Sequence, residues 1–255
     1  MPGDSTVAVR TLVAFAFAAA VAFAGDPPRG PADKDVKDRV DALKGAKDDV
    51  AKKKAIADAA KCPHASVAGE LLGFVVEGEV QIRMAAVKAL GSFIEYGPVP
   101  DIEYEPVPDL RIAANKALAG GIKANAGKPD VVKAIFSAMA KVGNAAAVPT
   151  LKDFAAGLLP FKDEKAPSDL VVASIDALVA IKRKASVEAL IALNKLMTET
   201  ATLADQKTNK LVSQRIEKGL KTLLPGLSND FGGDDWQLWW NKNKATFNDD
   251  LTPKK

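Results

Sequence analysis

The chain has 255 residues, long enough for one large domain or two ordinary ones and for a sizeable core without disulfides. Hydrophobic residues make up 48 % and charged residues 26 %, the balance of an ordinary soluble protein, which excludes wholesale disorder and a membrane bundle. Thirty-five Lys plus Arg against 32 Asp plus Glu leave a net charge of only +3 with the signs interleaved, and this argues against nucleic acid as a partner.

Arg10 precedes an apolar run from Thr11 to Ala24 that ends in Ala22, Phe23 and Ala24, before Gly25, Asp26, Pro27 and Pro28. A charged start, an apolar middle and a small-x-small end predict a secretory signal peptide over 1–24, cut after Ala24. The run is shorter than the roughly 20 residues a permanent membrane helix needs. Asp4 weakens the positive start and leaves an uncleaved anchor as the alternative. An exported chain, periplasmic or extracellular, with no stable membrane span after leader removal is the expectation.

Residues 25–35 hold Pro27, Pro28 and Pro31 with Gly25 and Gly30, and read as a flexible tether. Helical periodicity then starts. Val36, Val40 and Leu43 share one face of a first helix; Val50, Ile56, Ala59 and Ala60 belong to a second, studded with Lys52, Lys53 and Lys54. This opening pair is more polar than the later helices, as suits the end of a stack. Segments 64–77 (Val67, Leu71, Leu72, Val75) and 79–94 (Ile82, Ala86, Ala89, Leu90, Phe93) predict a helical hairpin broken at Gly78. The stretch 96–108, with Pro98, Pro100, Pro106 and Pro108, cannot be helix. Helices resume over 109–124, 130–142, 145–157, 169–182, 185–199 and 204–223, with breaks at Gly127 to Pro129, Gly143, Pro160 to Pro167 and Pro225. Strand signals are nearly absent, so the expected fold class is all-α.

A small-residue column recurs in four of these helices. Ala89, Ala117, Ala138 and Ala177 each follow an alanine four residues earlier (Ala85, Ala113, Ala134, Ala173) and precede a bulky apolar residue (Leu90, Leu118, Met139, Leu178). Positions four apart share one helix face, so each segment offers a smooth stripe for a close neighbour. Repeated helical units of this kind predict an α-α solenoid, whose usual work is to hold partners.

The run Ile82, Arg83 through Ala86, Ala89, Leu90, Gly91 resembles the V-R-x-x-A-x-x-A-L-G core of the HEAT repeat, and Leu110, Arg111 through Ala117, Leu118 repeats it. Residues 138–151 resemble that family's turn and following helix, and residues 177–190 echo them 39 residues on, near the 40-residue period of HEAT and armadillo repeats. The resemblance implies an α-α superhelix, a HEAT-like solenoid of about five helix pairs, over 36–224. Its register stays open. Ala117 follows Ala89 too soon, so either the proline-rich stretch replaces one outer helix or 109–124 takes an outer place despite its inner-helix sequence.

The ending Asp230, Phe231, Gly232, then Trp236, Trp239, Trp240 and Asn243 resembles the D-F-G and W-x-x-W-W-x-x-N tail of some exported bacterial HEAT-repeat proteins. Residues 225–255 are therefore expected to form a capping segment, with Asp234 or Asp235 capping a short helix that carries the three indoles on one side.

Chemistry-bearing residues are sparse. His64, the only histidine, follows Pro63 at a helix start and reads as a turn residue; Cys62 reads as a small buried hydrophobe. No triad, phosphate loop or dinucleotide fingerprint accompanies them, and the expectation is no catalytic residue, no metal and no cofactor. The carboxylates Asp101, Glu103, Glu105 and Asp109 lack the glycine of a calcium loop, and Pro106 stands there instead. With Tyr96 and Tyr104 they make either a partner-contacting loop or a plain insertion. Lys88, Lys133 and Lys141 sit away from the alanine column and are candidates to line a concave face, or solvated surface. Trp236, Trp239 and Trp240 read as a cap over the end of the stack or as an aromatic binding site. A protein-binding scaffold leads. A bilin-lyase-like protein, implied by the repeats of that family, and an envelope glycan binder using the tryptophans are the alternatives.

Overall fold

The computed structural model describes residues 32–93, 110–159, 161, 168–200, 206–225 and 234–254. The predicted leader, and with it Tyr96, Asp101, Glu103, Tyr104, Glu105 and Asp109, lies outside them. Among the described residues eleven α-helices succeed one another: α1 (Asp33–Gly45), α2 (Asp49–Ala59), α3 (Ala65–Val76), α4 (Val80–Gly91), α5 (Leu110–Ala124), α6 (Pro129–Val142), α7 (Val148–Leu158), α8 (Ser168–Ile181), α9 (Lys184–Thr200), α10 (Gln206–Leu223) and α11 (Asp235–Asn243). The only β pairing among the described residues is one isolated bridge, Phe247 to Pro253.

Local chemistry sets the helix ends. Asp48 accepts from the amide of Ala51 to start α2, and the Nδ1 of His64 accepts from Ser66 to start α3. Pro129 opens α6, and Gly143, in the left-handed region at φ 66°, closes it with its amide on the carbonyl of Met139. Asn144 then accepts from Ala146 and begins the short 3-10 turn Ala145–Ala147 that leads into α7.

Packing turns this series into two layers. Helices α1, α3 and α5 lie side by side, and the 3-10 turn before α7 continues their row into α7 and α9. Helices α2, α4, α6, α8 and α10 make the second row, each on the next. Each odd helix packs on the even helix after it, so the chain is an α-α superhelix of five pairs. One continuous core runs between the rows, from Leu43 and Ile56 through Leu71, Leu90, Leu118, Phe136 and Leu151 to Leu178, Leu190 and Leu220.

The layering settles the register left open by the sequence. Helix α5 stands in the first row, beside α3, although its Ala113 and Ala117 repeat the column of second-row helices. Its glycines explain the choice. A Cβ on Gly121 would strike the Cγ1 of Val75, and one on Gly120 would sit 3.3 Å from Leu72, so α5 meets α3 through bare backbone. A polar clasp locks the contact. Asn125 at the end of α5 donates to the carbonyls of Val75 (3.0 Å) and Gly121 (2.8 Å) and accepts from Arg83 at 2.9 Å, while Arg83 also donates to Gly78 and Val75. Carbonyls that α3 leaves without helical partners at its C-terminus are thus satisfied by two neighbouring helices.

With α5 in the first row, α4 and α6 become neighbours. A Cβ on Gly91 would fall 3.0 Å from that of Ala138, so the small-residue columns of α4 and α6 do face each other closely.

Candidate functional site

The outer face of the second row carries a well-lined depression. Helix α4 contributes Gln81, Met84, Ala85 and Lys88, and α6 contributes Ala134, Ser137, Ala138 and Lys141. Both sets have spacing i, i+3, i+4, i+7, the stripe that one helix face presents, and both end in lysine. Lys53 of α2 closes one side, giving a groove of about 440 Å³. Alanines and Gly91 form its floor, so the backbone of α4 and α6 is accessible to a close approach.

The charge of this groove is one-sided. Among the described residues no Asp or Glu lines it, and Lys53, Lys88 and Lys141 make no ion pair. Nearby lysines are compensated elsewhere: Lys52 by Asp49 within its own helix, Lys44 by Glu70 across the first row. Lys133 departs from the expectation that grouped it with Lys88 and Lys141. Its ammonium bonds Asp169 at the start of α8, outside the groove, and that bond raises the lysine's pKa and holds the Asp169 carboxyl below the usual carboxylate range. An apolar flank accompanies the lysines. Met84 is exposed, Val80 lies one turn before it on α4, and Val50, three residues before Lys53 on α2, is 80 % exposed.

The tail forms a second cluster. Trp236 and Trp240 are 1 % and 0 % exposed, and Trp239 is half-buried. The ring of Trp240 stacks on Phe247 at 6.0 Å and its Nε1 donates to the Oε1 of Glu188 on α9 at 3.2 Å. The amide of Lys184, a first-turn donor of α9, reaches the carbonyl of Asp249 at 2.9 Å, and Arg183 contacts the carboxylate of the same residue at 3.5 Å. Leu251 is buried at φ 65°, held by a turn in which Asp250 accepts from both the amide and the hydroxyl of Thr252. Asp234, one of the two residues expected to cap α11, precedes the helix and makes no side-chain cap bond, while Asp235 stands in its first turn.

The remaining candidates are structural in position. His64 caps α3, and Cys62 is buried, where desolvation pushes its thiol pKa up. Among the described residues no group of three His, Cys, Asp or Glu could hold a metal ion, and no helix is long and apolar enough to cross a membrane. Lys53, Met84 and Ser137 were not singled out by sequence. The repeated i, i+3, i+4, i+7 stripe ending in Lys88 and in Lys141 was the signal that could have found the groove.

In class, then, the chain is an all-α superhelix of paired helices with a cationic groove on one row. No family model, no curated protein and no solved structure matches it significantly.

Proposed function

We propose that this chain is an exported, non-catalytic, HEAT-like repeat scaffold that holds a protein partner in the cell envelope. One observation carries the reading: the second row presents a groove with a small-residue floor, an apolar flank and uncompensated lysines, a surface built to be covered. Its supports are of three kinds. The leader-like pattern read from the sequence over 1–24 supports export, the V-R…A-L-G-like runs with alternating rows support a HEAT-like character, and the only His and Cys are engaged in a cap and in the core. With Trp236 and Trp240 buried, a glycan site would rest on Trp239 alone, and that reading is not adopted.

The purified protein immobilised and exposed to cell-envelope extract tests this proposal. Stoichiometric retention of a defined protein is the expected result. A reproducible catalytic turnover with no retained partner would contradict it.

A further inference from the structure

We infer that the groove between α2, α4 and α6 takes an acidic, amphipathic segment of the partner protein, its carboxylates on Lys53, Lys88 and Lys141 and its apolar side chains on Met84. The inference rests on the scaffold reading and adds the chemistry of the occupant.

The charge pattern of the whole second row supports it. At the 39-residue offset seen in the sequence, Ser137 of α6 corresponds to Asp176 of α8, and Asp176 to Arg215 of α10. Lys88 occupies the neighbouring place on α4. Asp176 bonds Arg215 at 2.5 Å, so the carboxylate in this line is engaged toward the C-terminal end. Lys88 and the neutral Ser137 both line the groove, and no carboxylate among the described residues does. A cationic side chain that none of the described residues pairs with a counter-charge, next to a second and a third, produces a local positive potential in a chain of nearly zero net charge. Complementary carboxylates are what such a surface selects, and like-charged partners are rejected.

The apolar part is equally local. Of the six large hydrophobic side chains exposed among the described residues, Val50, Val80 and Met84 belong to α2 and α4, beside the lysines. A uniformly acidic polymer would leave them uncovered, whereas an amphipathic segment covers both halves. The floor of Ala85, Gly91, Ala134 and Ala138 has no long side chain to displace, so a helix or extended strand can reach the surface of α4 and α6.

Fluorescence polarisation tests this with two labelled peptides, one carrying leucines on one helical face and glutamates on the other, the second with lysines in place of the glutamates. The glutamate peptide should bind and weaken with added salt, and the lysine peptide should not bind. The triple variant Lys53→Gln/Lys88→Gln/Lys141→Gln should lose about tenfold or more in affinity, as should Met84→Glu. Lys210→Gln/Lys218→Gln/Lys242→Gln, exposed and placed on α10 and α11, should bind like the parent; circular dichroism verifies that both triples are folded. Equal binding of the two peptides, equal loss in both triples, or no loss in the groove triple would overturn the inference. So would self-association abolished by Met84→Glu, which assigns the groove to a second copy. An envelope protein retained equally by parent and groove triple leaves the scaffold standing and removes the groove assignment; no peptide bound and no protein retained removes both.

Discussion

The two halves of the second row differ in where ion pairs bridge their helices. Between α6 and α10 two such pairs cross, Lys133 with Asp169 and Arg215 with Asp176. Between α2, α4 and α6, among the described residues, none does, and the groove lysines Lys53, Lys88 and Lys141 have no carboxylate beside them. The end regions differ likewise. Beyond α10 the chain returns as α11 and a tight turn whose Asp249 satisfies the first turn of α9, while α1 and α2 bury little more than Val36, Leu43, Ala55, Ile56 and Ala59. A repeat stack can thus be covered at one end and carry an exposed groove near the other without any change of architecture.

The largest effect expected from attacking this contrast is at the closed end. Trp240→Ala removes a fully buried indole and should cost about 3–5 kcal/mol in a denaturant titration. Next is the α4–α6 contact. Gly91→Val forces side-chain atoms against Ala138 and should cost about 1–3 kcal/mol, distorting the groove as well as weakening the stack. Asn125→Ala leaves Arg83 without one acceptor and the Val75 carbonyl without one donor, a loss of about 1–3 kcal/mol. Asp176→Asn and Lys88→Gln then set the halves side by side. The first should cost about 0.2–1 kcal/mol because the pair it breaks is partly exposed, and the second about zero. Equal costs would erase the distinction between answered and unanswered charge.

The smallest effect is on pH dependence. Lys133 holds the Asp169 carboxyl below its ordinary value, so this contribution is complete above about pH 4 and is lost as pH falls through the lower folded pKa. Asp169→Asn should therefore reduce the difference in denaturation midpoint between neutral pH and about pH 3, whereas Lys141→Gln should leave it unchanged.

Helix positions and the number of pairs were legible because apolar spacing and Gly or Pro breaks act locally: Gly78, Gly143 and Pro129 stand where the helices end or begin. The row assigned to α5 was not. Its alanine column matches the second row, and the features that override the match, Gly120, Gly121 and Asn125, gain meaning only against Leu72 and Val75 of another helix. The groove was half visible for the same reason. Lys88 and Lys141 stand apart in sequence, and only the layering makes them neighbours; Lys133, equally lysine and on the same helix as Lys141, is claimed by Asp169 of the next unit.

Everything specific to the groove requires α4 to lie directly on α6 with α5 in the other row. The double variant Gly91→Cys/Ala138→Cys, oxidised and mapped by mass spectrometry under non-reducing conditions, tests this directly, because the two Cβ positions approach to 3.0 Å, within easy adjustment of the roughly 3.8 Å a disulfide prefers. An intramolecular bridge between residues 91 and 138, formed in a chain that keeps its helical spectrum, is the predicted result. Two free thiols at those positions under full oxidation would place another helix between them and contradict the account.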